Sequence, residues 1–216
     1  MEKIRKRFAV SVCLLAGFAL WTAGVCLVDV RPIGPGGSPV GMAGLNLFVH
    51  QLTGVHFTLY TVTDWLGLVP VAVCLGFGIL GFLQWVRRKS VMKVDRPVLL
   101  LGIFYIAVMA AYLLFETFAV NYRPVLIDGV LEASYPSSTT LLVMCVMPTA
   151  AMQLRKRIQH PARRRWTLDG IWIFTAFMVV GRLLSGVHWF SDIVGGALLS
   201  GGLVGLYAAV CDLWDR

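Results

Sequence analysis

The stretch 179–196, "VVGRLLSGVHWFSDIVGG", sets Arg182, His188 and Asp192 into an apolar, glycine-rich run. Ionisable groups are expensive near hydrocarbon, so three of them at these intervals need a reason. The apolar residues on either side predict helices over 167–186 and 191–211, joined by a short turn that carries the histidine.

The rest of the chain repeats the pattern. Its composition is 58% apolar and only 14% charged, and its mean hydropathy is +0.77. These values exclude an ordinary soluble domain and predict a polytopic membrane protein. At roughly 20 residues per span, the chain reads as one all-α domain, 1–216, a bundle of six transmembrane helices. The other spans fall at 8–29, 62–86, 97–119 and 138–154. The first follows "MEKIRKRF", which has the look of a signal-peptide start. Its apolar run is longer than a signal's, no small-x-small cleavage site follows, and a retained helix is expected.

The formal charge of +8 could suggest nucleic acid, but the basic residues lie in short clusters between apolar runs, so no nucleic-acid partner is expected. Sixteen of the nineteen Lys and Arg fall on one side of the six-span arrangement, leaving only Arg31, Arg123 and Arg182 on the other. The positive-inside rule then puts both termini in the cytoplasm of a plasma-membrane protein and loops one, three and five outside. The five cysteines lie in apolar runs without CxxC or Cys/His spacing, so neither a disulfide framework nor a metal site is expected.

Loop one opens with "PIGPGGSPVG", a flexible stretch by composition. Leu45, Phe48, Val49, Leu52 and Leu59 then recur at helical spacing, which predicts a short amphipathic helix at the outer interface. His50 and His56 read as interfacial residues, and Asp64 as a helix-start residue in the aromatic belt.

Three segments meet on the outer face: "ETFAVNYRP" (116–124), "SYPSSTT" (134–140) and the opening stretch. Asp192 lies about one turn after His188, where a carboxylate can hold one ring nitrogen protonated and free the other lone pair for attack. Arg182 and Arg123 supply fixed positive charge, and arginine favours phosphoryl oxygens. Pro136 suits a helix start, and Ser137, Ser138, Thr139 and Thr140 put free backbone N–H groups at the N-terminus of span four, a ready anion site.

At these residues the sequence resembles the type-2 phosphatidic acid phosphatase superfamily of membrane phosphatases. Its last signature is Ser-Arg, five residues, His, three residues, Asp, and "GRLLSGVHWFSD" matches it with Gly181 for the Ser. The middle signature, Pro-Ser-Gly-His, reads "PSST", and the first, Lys, six residues, Arg-Pro, reads "ETFAVNYRP". The resemblance implies that His188 attacks phosphorus, Asp192 orients it, and Arg123 and Arg182 bind phosphate oxygens with help from Ser137 and the amides near Ser138. It implies no cofactor and no metal.

Two departures bear on chemistry. The family's phosphate-binding Lys is Glu116, and its general-acid His is Thr139. General-acid help is worth roughly 10²–10⁴ in rate. A lipid alkoxide needs it, whereas a phosphate leaving group, with a second pKa of about 6, does not. A lipid diphosphate is therefore the easier substrate, unless Glu116 is a substitute acid. The leading expectation is a lipid phosphatase acting at the outer face on an isoprenoid diphosphate or a phospholipid phosphate. The alternative is a family member that binds or transports a phosphorylated lipid without hydrolysis. The oligomeric state is not legible.

In a background stripped of native cysteines, a single cysteine at Asp128 should react with an impermeant thiol reagent added outside intact cells, and one at Arg164 should not. The reverse pattern would put the site on the other face.

Overall fold

A computed structural model describes residues 1–214. Arg216, one of the basic residues assigned to the C-terminal end, lies outside the described residues. Among them the fold is all-helical, with α1 Glu2–Leu27, α2 Ala43–Thr53, α3 Phe57–Leu66, α4 Leu68–Arg88, α5 Arg96–Thr117, α6 Ser138–Arg157, α7 Pro161–Leu184 and α8 Phe190–Trp214. Five stretches are long and apolar enough to cross a membrane: α1, α3 continued by α4, α5, α7 and α8. This is a multi-pass membrane fold.

The helix ends follow local chemistry. Pro97 and Pro161 stand in the first turns of α5 and α7, where a missing N–H costs nothing. Ser137 caps α6, its Oγ accepting from Thr140 N at 3.5 Å. Arg87 and Arg88 close α4, and Arg155, Lys156 and Arg157 close α6, where cations suit the negative end of the helix dipole.

α6 is the helix that composition ranks lowest, and it is the one the bundle surrounds. Its Leu141 and Cys145 join Leu101 and Phe104 of α5 and Leu199 and Tyr207 of α8 in one apolar cluster. Its Val143, Met147 and Ala151 pack with Ile171 and Met178 of α7 in another. Enclosed by protein, it tolerates Thr149 and Gln153, both buried, at positions where lipid contact would forbid them.

α8 packs along α1 on one side and α6 on the other. Gly202 makes the first contact possible: a Cβ there would lie 2.6 Å from the Leu15 side chain of α1. Small residues permit such close helix approach within lipid.

Three local expectations change. The stretch "PIGPGGSPVG" is a closed loop in which Arg31 and Val40 pair backbone to backbone around a 3₁₀ turn at Pro35–Gly37. The loop-one helix stops at Thr53, because Gly54 leaves helical geometry, and Leu59 belongs to α3. Asp64 lies near the end of α3 rather than at a helix start.

Gly202→Val should destabilise the protein by about 1–3 kcal/mol through overpacking, read as a lowered thermal midpoint in detergent. Gly17, whose Cβ position is open to 4 Å, provides the contrast: Gly17→Ala should be neutral or stabilising.

Candidate active site

The turn between α7 and α8 is pinned by backbone. Ser185 N donates to Gly181 O at 2.8 Å, and His56 N, at the start of α3, donates to Ser185 O at 2.9 Å. Gly186 has φ +69, and a Cβ there would meet the Gly54 carbonyl oxygen at 1.9 Å. The same close approach accounts for Gly181 where the family motif has Ser: a Cβ would lie 2.8 Å from Thr63 of α3.

His188 emerges from this turn 3% exposed. Its Nδ1 lies 3.7 Å from Asp192 Oδ2, too long for a hydrogen bond. Asp192 has other work. At the third position of α8, its Oδ2 accepts from Trp189 N at 2.9 Å, the reciprocal half of a capping box. The opposite ring nitrogen, Nε2, faces two guanidinium groups, with Arg123 Nη1 and Arg182 Nη2 each 3.4 Å away. Burial first, and then the charges of Arg123 and Arg182, hold the imidazole well below its ordinary value of 6.5. The ring is neutral at physiological pH, and a lone pair on Nε2 accepts both long contacts.

Arg123 is delivered by a small hairpin. Tyr122 pairs with Ala133 and Ile127 with Val130, and the turn between them is Asp128–Gly129, both at positive φ as a type I′ turn requires. The fold-back sets Glu132 beside Arg123, with Oε2 2.9 Å from Nε. Arg182, 1% exposed, comes from the last turn of α7. Its Nη1 lies 3.5 Å from Asp64 Oδ1. Tyr60, one turn earlier on α3, presents its ring to both cations, with Arg182 Cζ 5.0 Å and Arg123 Cζ 6.0 Å from its centroid.

Two cavities flank the first turn of α6. A polar one of about 230 Å³ is lined by His188, Arg123, Glu132, Glu116 and Ser138. An apolar one of about 370 Å³ opens between α4, α5 and α6, with Asp64, Thr139, Met109 and Val146 on its walls. Tyr112, Ser138 and Leu141 border both.

The structure thus gathers His188, Asp192, Arg123, Arg182, Ser138 and Glu116 at one end of the bundle. It puts Thr139 across the partition, in the apolar cavity, so Glu116 and Thr139 do not share a pocket. Ser137 is fully buried as the α6 cap and lines neither cavity, which separates it from the phosphate contact expected of it.

Sequence reasoning missed Tyr60, Glu132, Asn46 and Asn121, and misassigned Asp64. Asn46 Oδ1 accepts from Ser191 N at 3.0 Å while its Nδ2 donates to Gly41 O at 2.8 Å and Ser191 Oγ at 2.9 Å. Asn121 Oδ1 accepts from Gly41 N at 3.1 Å. The available signals were faint: an asparagine in an apolar helix, and Asp-Gly between short apolar runs as a hairpin mark that would have turned Glu132 back toward Arg123.

The neutral histidine makes stability depend on pH. An unfolded His188 takes up a proton near pH 6.5 and the folded one resists it, so the folded state loses stability as pH falls below that value and is unaffected above it. Relative to His188→Gln, wild type should lose up to about 1.4 kcal/mol of extra stability per pH unit below 6.5, measured as unfolding midpoints in detergent. Parallel curves would mean that His188 is not held neutral.

The model of the PAP2 superfamily matches residues 65–214. A crystal structure described as the first transmembrane PAP2 type phosphatidylglycerolphosphate phosphatase from Bacillus subtilis is similar at a TM-score of 0.67, covering 95% of this chain and 98% of that one at 17% identity. At that identity the likeness speaks for the fold. No curated protein matches the chain. The family match spans more than half of the sequence, including α4 to α8 and the motifs around Arg123, Ser138 and His188, and the chain belongs to the PAP2 superfamily.

Proposed function

We propose that this protein is a membrane lipid phosphatase in which His188 Nε2 attacks phosphorus. The observation that carries the reading is the convergence of two guanidinium groups, 3.4 Å each, on the one ring nitrogen of a buried, neutral histidine. Phosphorus bonded at Nε2 would carry its oxygens into the N–H groups of Arg123 and Arg182, joined by the first-turn amides at Ser138 and Thr139. The apolar cavity across Ser138 suits a lipid tail.

The chemistry balances without a metal. The Nε2 lone pair forms the P–N bond, the P–O bond to the leaving group breaks, and the positive ring faces Asp192. Water then cleaves P–N, returning neutral His188 and releasing phosphate. A diphosphate substrate, of isoprenoid type, expels its lipid monophosphate, an anion that needs no proton. A phospholipid monophosphate expels an alkoxide that does, and Glu116, in the same cavity as His188, is the group we assign to that proton.

We further place α6 as a sixth span, so that 1–216 forms one membrane-embedded domain with α2 along the outer interface, both termini cytoplasmic and the site facing outward. A second reading, binding or transport of a phosphorylated lipid without hydrolysis, draws support from Thr139 and from the carboxylate already paired with each arginine.

The test is phosphate release by purified protein over lipid mono- and diphosphates, with chelator present. Diphosphates should turn over faster, and His188→Asn should abolish turnover while lipid binding remains. Glu116→Gln should slow monophosphate hydrolysis by roughly 10²-fold or more as a lost general acid and spare diphosphate hydrolysis. Lipid binding without phosphate release from any substrate would favour the second reading.

A further inference from the structure

At the end of the bundle away from His188, the start of α5 and the ends of α6 and α8 enclose a cavity of about 490 Å³. Arg96 and Arg157 supply its guanidinium groups, Leu100 and Trp214 contribute apolar wall, and among the described residues Asp95 is its single lining carboxylate. That carboxylate is already committed: Oδ1 accepts from Arg88 Nη1 at 2.8 Å and Oδ2 from Gln84 Nε2 at 2.8 Å. The Arg88 contact, above all, holds the Asp95 carboxyl below its usual range.

Arg157 is not a loose surface cation. Its Nη1 donates to the side-chain and backbone oxygens of Gln153, and Gln153 Nε2 donates to Tyr207 Oη of α8. Tyr207 packs on Phe104 of α5 with ring centroids 5.1 Å apart. The guanidinium is therefore held in place by bonds that run into the core of all three helices that form the cavity. A pre-ordered guanidinium is well suited to phosphate oxygens.

We infer that this cavity binds the headgroup of an anionic phospholipid, a phosphodiester without a balancing ammonium. The guanidinium groups of Arg96 and Arg157 take the phosphate, and the apolar wall takes the glycerol and first methylenes, which a free phosphate would leave uncovered. A zwitterionic headgroup gains less, because Asp95, the carboxylate among the described lining residues, is neutralised by Arg88. Basic pockets between membrane helices recognise anionic headgroups on this principle. The bound lipid bridges α5, α6 and α8 at the end remote from the catalytic histidine.

The experiment is native mass spectrometry of the full chain released from nanodiscs of phosphatidylcholine mixed with phosphatidylglycerol, a lipid with no terminal phosphate to hydrolyse. Wild type should retain phosphatidylglycerol over phosphatidylcholine by roughly tenfold, and R96Q with R157Q should abolish the preference. R182Q, altered at the other end, should keep it. Arg96 lies outside the Arg157–Gln153–Tyr207 chain, so R96Q alone should lower the enrichment even where R157Q impairs folding. Undiminished enrichment in R96Q and the double variant, loss of enrichment in R182Q, equal enrichment when phosphatidylethanolamine replaces phosphatidylglycerol in the nanodiscs, or displacement of the lipid by millimolar inorganic phosphate would each overturn the assignment.

Discussion

Everything at the candidate site depends on how the polar start of α8 is satisfied inside an apolar bundle. Ser191 and Asp192 are fully buried. In a medium of low dielectric an unpaired polar group is costly, and the atoms there draw partners from several parts of the chain. Asn46 comes from α2, Asn121 from the segment after α5, and Ser137 N, at the cap of α6, donates to Asp192 O at 3.1 Å. Trp21 of α1 donates through Nε1 to Ser191 O at 3.0 Å. One helix start thus ties four regions together, and His188 is placed by the turn that leads into it.

The second constraint is charge. Each arginine near His188 has its own carboxylate, Glu132 for Arg123 and Asp64 for Arg182. Buried Arg182 could not otherwise keep its place, since an uncompensated buried cation is strongly destabilising. In the phosphatase reading, an arriving phosphate exchanges for these carboxylates rather than filling an idle positive field. Its affinity is then a difference between two ion-pair arrangements. Tyr60 stays through the exchange, because a ring face attracts a cation without competing for its N–H donors.

Much of this was legible in the sequence. Hydropathy gave the long helices to within six residues at either end, because all but α6 are apolar enough to face lipid. Spacing singled out His188, Asp192 and Arg182 as neighbours, because residues on and beside one interhelical turn are local in sequence. What failed was non-local. Asp64 and Tyr60 matter through α7, more than a hundred residues away, and no periodicity encodes that pairing. Ser137 looked like an anion ligand because a cap and an anion site use the same residue types. The two departures, Glu116 and Thr139, line different cavities, and no local spacing shows that the first turn of α6 stands between them.

That first turn of α6 is a boundary between two media. Tyr112, Ser138 and Leu141 face polar space on one side and apolar space on the other. A molecule that fills both must change character within the thickness of a single side-chain layer. In the lipid-phosphatase reading the wall acts as a gauge of amphiphilicity: it favours compounds whose charged head and greasy tail are joined by a few bonds. Compounds that are polar throughout, or whose head and tail are separated by a long polar spacer, can occupy only one side. On that reading, selection against water-soluble phosphate esters is a matter of where the polarity of a molecule ends.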